Sequence, residues 1–224
     1  MKVSIMQPTF LPWAGYFSII KSSDIFVLLD DVGYSRQSWQ TRNRFYISGK
    51  VKWLSIPVKT SLNTNINQVK IFNLNNFINK TKKSLTQSYT KSRNIEFIEL
   101  LFEYITKNEV KNLASFNVRS IIFCKDYLNI KCRMITSSSL SINTNKKEDK
   151  IIKILKNLEA KEYICAAGSK EYMQDYGLEK FPCPVNFYNY KRANTISGFE
   201  KFNENLSIVH SLLSYSVKRI NEEI

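Results

Sequence analysis

Apolar positions open the chain in solid blocks and then switch to helical spacing. Lys2 to Met6 reads as a short buried strand, stopped by Gln7-Pro8-Thr9 because Pro8 has no N–H to give a ladder. Pro12 can open a helix. Trp13, Tyr16, Phe17 and Ile20 then recur three and four residues apart, which places them on one face. Residues 25–29 form an apolar run of the kind a strand covered on both faces needs, and it ends in Asp30-Asp31. These features predict a βαβ unit with two carboxylates at the carboxyl end of its second strand.

Further along, 45–47 and 52–58 predict a hairpin turned through Ser48-Gly49-Lys50, and 68–72 predicts another strand. Helical periodicity governs 77–88, 95–105 and 113–128. A strand is expected at 130–135, a polar loop at 137–145, an amphipathic helix at 147–158 and a strand at 162–166. The turn Ala167-Gly168-Ser169 then leads to a short helix at 170–173, an edge strand at 184–188 and a closing helix at 207–220. The fold class expected is α/β, with a mainly parallel, Rossmann-like central sheet and a helical insertion. At 224 residues one domain is the default. It divides into an α/β part with the site (1–74), the insertion (75–128) and the remaining α/β part with the C-terminal helix (129–224).

Charge narrows the partners. The chain has 33 Lys and Arg against 19 Asp and Glu, a formal charge of +14. Such a field draws anions: nucleic acid, an anionic membrane surface, an acidic carrier protein or a phosphate-rich small substrate. Some of the Lys excess can equally reflect coding bias, and no nucleic-acid motif supports the first class. Cys124, Cys132, Cys165 and Cys183 are scattered without a CxxC pair, and His210 is the only histidine, so no metal-site spacing is found. Gln7, Pro8 and Pro12 interrupt any signal-peptide core, and no apolar run reaches spanning length, so a cytoplasmic chain with no transmembrane segment is expected. There is no GxSxG, HExxH, Walker A or GxGxxG pattern.

Candidate chemistry gathers at the strand ends of the first 60 residues. Arg42 and Arg44 can hold a pyrophosphate by charge-assisted hydrogen bonds, and Trp39, Tyr34 or Trp13 can stack on a sugar or base. Asp30 or Asp31 can take a proton from an attacking amine or hydroxyl. Against this, Trp13, Phe17 and Trp53 fit a core role better than a ligand platform, and the two arginines can pair structurally with Asp30 and Asp31. Gly168 and Ser169 can present backbone N–H groups to an anion, although an ordinary turn explains them as well. His210 reads as a packed or surface histidine, and Ser207 as a helix cap.

Several blocks resemble a known family. Val3 to Phe17, with Gln7, Pro8, Pro12, Trp13, Gly15 and Tyr16, resembles the N-terminal signature of WbqC-like proteins. Asp24 through Val32, then Trp39 with Arg42-Asn43-Arg44, resembles its second block, and Gly49, Trp53-Leu54 and Ile56-Pro57-Val58 its third. Looser likeness extends to Tyr89, Asn117, Tyr163-Ile164, Gly168 and Leu206-Ser207-Ile208. The chain departs from the family pattern at Ala166 or Ala167, where a Gly is usual, in the region 185–188, and at His210, where Asp is usual. The start also resembles HIGH-type nucleotidylyltransferases in architecture, without their two-histidine motif.

The resemblance implies a transferase of bacterial surface-polysaccharide (O-antigen) synthesis, moving an acyl or aminoacyl group such as glycine to the amine of a nucleotide-linked amino sugar. The residues themselves suggest the site for it, with Asp30 and Asp31 catalytic and Gln7, Pro8, Trp13, Tyr16, Tyr34, Trp39, Arg42, Asn43, Arg44, Gly168 and Ser169 binding substrate. No tightly bound cofactor is expected; the acyl donor would be an acyl-CoA or an acyl group on an acidic carrier protein. A non-enzymatic anion-binding module and a glycosyltransferase-type activity stand as alternatives.

Overall fold

A computed structural model describes residues 1–61, 63–142, 144, 147–190 and 206–224; positions 143 and 145 of the predicted polar loop at 137–145 lie outside them. The first apolar block forms β1 (Lys2–Met6), helix α1 (Ala14–Lys21) follows, and β2 (Ile25–Leu28) is buried at every position. β1 and β2 pair in parallel, Val3 opposite Ile25 through Met6 opposite Leu28. The predicted βαβ unit is present, with Trp13 extended just before the helix.

β3 (Arg42–Ile47) and β4 (Lys50–Ser55) form the antiparallel hairpin. Its turn residues Ser48 and Gly49 both take positive φ, 53° and 76°, as a two-residue hairpin turn of matching twist requires. β5 (Val58–Lys59) pairs with β6 (Lys70–Ile71). The strand expected over 68–72 is this short because a 3-10 turn, Ile66–Gln68, occupies its start. Helices α2 (Leu74–Ser88), α3 (Phe97–Thr106) and α4 (Leu113–Tyr127) then form the helical insertion.

The remainder runs β7 (Arg133–Thr136), α5 (Lys147–Asn157), β8 (Glu162–Ala166), α6 (Lys170–Tyr176), β9 (Val185–Tyr188), α7 (Ile208–Ser214) and α8 (Val217–Glu223). The single closing helix expected over 207–220 is two helices. Ser207 accepts from Val209 N and Ser216 from Arg219 N, so each serine caps a separate start. Periodicity passes over that second cap.

The central sheet has the order β7-β2-β1-β8-β9, and all four pairings are parallel. Numbered along the chain, that is third, second, first, fourth, fifth, an order shared with doubly wound sheets. The connections leaving β1 and β8 diverge, and in such sheets the crevice beyond the carboxyl ends at this switch point takes ligands. The order is that of the Rossmann arrangement and differs from the flavodoxin-like 2-1-3-4-5, but many families share it, so it does not single out the narrower likeness to nucleotidylyltransferases.

Alternation along the strands feeds two cores. Val3, Ile5, Ile25, Val27, Tyr163 and Cys165 pack against Ile151, Ile154 and Leu155 of α5. Phe26, Leu28 and Ile164 pack on the opposite side in a larger cluster with α1, the insertion, the hairpin residues Phe45 and Ile47, and α7. The sheet is thus covered on both faces, which is why its strands read as solid apolar runs. Among the described residues no helix is long and apolar enough to cross a membrane.

Candidate functional site

The loop after β1 is held open by side-chain amides. Asn43 Nδ2 donates to Phe10 O at 3.1 Å and Leu11 O at 2.7 Å, while its Oδ1 accepts from Arg44 N at 2.8 Å. Asn117 Nδ2, inside α4 and fully buried, donates to Pro8 O at 3.1 Å and Gln40 O at 2.8 Å. Tyr16 Oη donates to Gln7 O at 3.1 Å, and burial raises its pKa well above the ordinary phenol range. These three residues support the unusual path of the loop, in which Leu11 takes a positive φ of 42°. Pro8 is buried beneath it, and Gln7 is half-buried. Gln7 Oε1 accepts from Gln40 Nε2 at 3.0 Å, leaving the Gln7 NH2 without a partner among the described residues.

The acidic pair sits one strand away. Asp30 is 5% exposed, and its carboxylate accepts from Ser137 Oγ (3.1 Å), Ser138 N (3.0 Å) and Ser138 Oγ (2.7 Å) on the turn after β7. Asp31 accepts from Ser137 Oγ and forms an ion pair with Lys150 of α5 at 2.5 Å. Lys150, and neither arginine, is therefore the structural counterion, correcting the pairing of Arg42 and Arg44 with the carboxylates. The reason is topological: β7 and α5 border β2, whereas the arginines stand on the hairpin. Asp30 also lines a cleft of about 390 Å³ with Asn67, Ser115, Arg119 and Thr136.

On the hairpin, pairing puts Arg44 opposite Trp53 and Arg42 opposite Ser55, so these side chains share one face. The Arg42 guanidinium lies 4.6 Å from the Trp53 ring centre, that of Arg44 lies 5.6 Å from Trp39, and the two indoles are 5.3 Å apart. Trp39 and Trp53 are 45% and 48% exposed, which overturns the core role expected of Trp53. An aromatic at a strand position favours burial on average, but here it sits on the solvent face under an arginine. Phe17, by contrast, is fully buried.

Arg42 opens onto a polar cleft of about 590 Å³ walled by Tyr34, Arg36, Thr41, Lys59 and Thr60 among others, with no carboxylate in its lining among the described residues. Arg42 Nε is buried and has no hydrogen-bond partner among the described residues. Asn67 N bonds Asp30 O, Ile66 N bonds Val32 O and Tyr34 N bonds Thr64 O, so residues 30–34 run as a paired strip between the two clefts. Four residues of chain bridge at most about 14 Å.

Trp13 and the 167–169 turn are placed by other elements: Trp13 pairs with Ser207, whose N–H donates to Arg44 O at 2.9 Å. The Trp13 ring packs over Gly15, where an added Cβ would meet it at 2.2 Å, and makes an edge contact of 5.2 Å with Tyr190. Gly168 is exposed, with open space around it, and Ser169 precedes α6 without a side-chain cap bond. This turn flanks β1 on the side opposite β2.

A WbqC-like protein family profile matches residues 7–222, nearly the whole chain. The chain belongs to the WbqC-like family. An uncharacterized protein of Mycobacterium tuberculosis, Rv1507c, is 24% identical over 192 residues, covering 84% of this chain and 82% of that protein. No solved structure matches at significance. The family match includes both the loop from Gln7 and the hairpin.

The residues that sequence reading missed are Gln40, Lys59, Ser137, Ser138 and Lys150. Lys150 carried a signal, a lysine next to Ile151 and four before Ile154 on the face of α5 that packs inward. The serines carried none, because a polar loop gives no sign of which oxygens it will serve. His210 is buried and bonded through Nδ1 to Tyr89 Oη at 2.7 Å, as a packed histidine should be. Burial, and then repulsion from Tyr46 and Tyr215, raises the Tyr89 phenol.

Proposed function

We propose that this WbqC-like chain transfers an acyl or aminoacyl group, such as glycyl, to the amine of a nucleotide-linked amino sugar during assembly of bacterial surface polysaccharide. The observation that carries the reading is the cleft of Arg36, Arg42 and Lys59, which among the described residues has no carboxylate in its lining and no partner for Arg42 Nε. A diphosphate supplies the oxygens these donors need. The sugar then extends along the 30–34 strip toward Asp30.

In the reaction, the amine nitrogen attacks the carbonyl carbon of an acyl thioester, carried by coenzyme A or an acidic acyl carrier protein. An N–C bond forms, the C–S bond breaks, and the thiol leaves with the electron pair. The amine proton passes to Asp30, which returns it to the departing sulfur or to water. Asp31 is committed to Lys150 and Ser137 and serves to fix that carboxylate corner. The free NH2 of Gln7 and the backbone amides at Gly168 and Ser169 are the candidate donors to the developing oxyanion.

The test separates binding from chemistry. Arg42→Ala should weaken affinity for a nucleotide-linked amino sugar roughly tenfold or more, in line with a lost charge-assisted hydrogen bond. Asp30→Asn should keep that affinity within about threefold and abolish transfer. A charge-steered binding module would show the Arg42 effect and no transfer by the parent chain.

A further inference from the structure

We propose that the groove between Trp53 and Phe72 is a nucleobase subsite, so that the ligand of the cationic cleft is a nucleoside diphosphate derivative whose base lies beyond β4. This rests on the diphosphate reading above and specifies the remainder of the molecule. The groove, about 450 Å³, is lined by Trp53, Ser55, Phe72, Asn73, Asn76 and Lys80, among others, with no carboxylate among the described residues that line it.

Three contacts join it to the cationic cleft. Ser55 lines both. Arg42 of the cleft lies over Trp53 of the groove, and Lys59 of the cleft lies 4.4 Å from the centre of the Phe72 ring. A ligand with its phosphates on Arg42 and Lys59 therefore has an aromatic wall next to each cation. Among the described residues, Trp53 and Phe72 are the two most exposed large apolar side chains, 48% and 51%. Leaving both in water is unfavourable unless a flat ligand covers them.

The polar lining fits a base edge. Asn73 sits at the N-cap of α2 in the left-handed region, φ 51°, yet its side chain makes no cap hydrogen bond. Its amide, like that of Asn76, is unspent among the described residues. An amide presents a donor beside an acceptor, the complement of the in-plane edges of nucleobases, whereas rings on the groove walls supply sequence-tolerant stacking.

The experiment is a calorimetric titration of the full chain with inorganic pyrophosphate and, separately, with UDP, dTDP, GDP and ADP. At least one nucleoside diphosphate should bind roughly 5- to 150-fold more tightly than pyrophosphate, the ratio that base stacking supplies. The ratio, taken within each variant, should fall to about one in Trp53→Leu/Phe72→Leu. In Asn73→Gly/Asn76→Ala, which removes two exposed amides and leaves residue 73 free to keep its left-handed backbone, the preference among bases should change. If pyrophosphate binds and no nucleoside diphosphate binds more tightly, the subsite is refuted and the cationic cleft stands. Failure of every ligand to bind refutes both. An undiminished ratio in the aromatic pair also overturns the base assignment.

Discussion

Lys150 Nζ lies 2.5 Å from Asp31 Oδ2, with side chains only 9% and 18% exposed. A pair so withdrawn from water contributes little net stability, yet removing one partner strands a charge. Lys150→Met should therefore destabilise the fold by about 3–5 kcal/mol, and adding Asp31→Asn should recover most of the loss. Urea unfolding of the two variants measures this. A Lys150→Met loss under about 1 kcal/mol would free Asp31 for a direct role in proton transfer.

Gly15 is fixed by the Trp13 ring rather than by its backbone. Ala in a helix normally gains about 0.5–1 kcal/mol over Gly. Here the new Cβ would lie 2.2 Å from the indole, so Gly15→Ala should instead cost about 1–3 kcal/mol and shift the tryptophan emission. A stability gain would show that Trp13 moves aside freely.

Asn43 braces Phe10 and Leu11 from a position 2% exposed. Asn43→Ala should lose about 1–3 kcal/mol of stability, with ligand affinity falling in step because the β1 loop loosens. Affinity lost at unchanged stability would mean that Asn43 itself touches the ligand.

Tyr16, Tyr89 and Tyr163 have phenols raised chiefly by burial. The folded state therefore keeps protons that the unfolded chain releases above pH 10, and stability falls as pH rises beyond that value. In an absorbance titration of the 12 tyrosines, these should ionise only together with unfolding. Twelve tyrosines titrating normally in a folded chain would contradict the packing.

The first βαβ unit was legible because both strands are solid apolar runs bounded by Pro8 and by Asp30-Asp31, and residues 162–166 were placed without error for the same reason. The hairpin was legible from its turn, but not which of its faces meets water, since Trp53 has the same β propensity on either. The break at Ser216 escaped because the residues on both sides of it keep helical spacing. The two carboxylates were legible as a pair at a strand end. Their partners were not, because Ser137, Ser138 and Lys150 reach them only through the pairing of β7 with β2.

The most direct test of the central claim is the mass of a nucleotide-linked amino sugar recovered after incubation with the chain and an acyl or aminoacyl thioester. The account predicts a gain equal to the transferred group, dependent on Asp30 and Arg42 and matched by released thiol. No mass gain across a broad panel of nucleotide amino sugars and donors, with the sugars nonetheless bound, would contradict it.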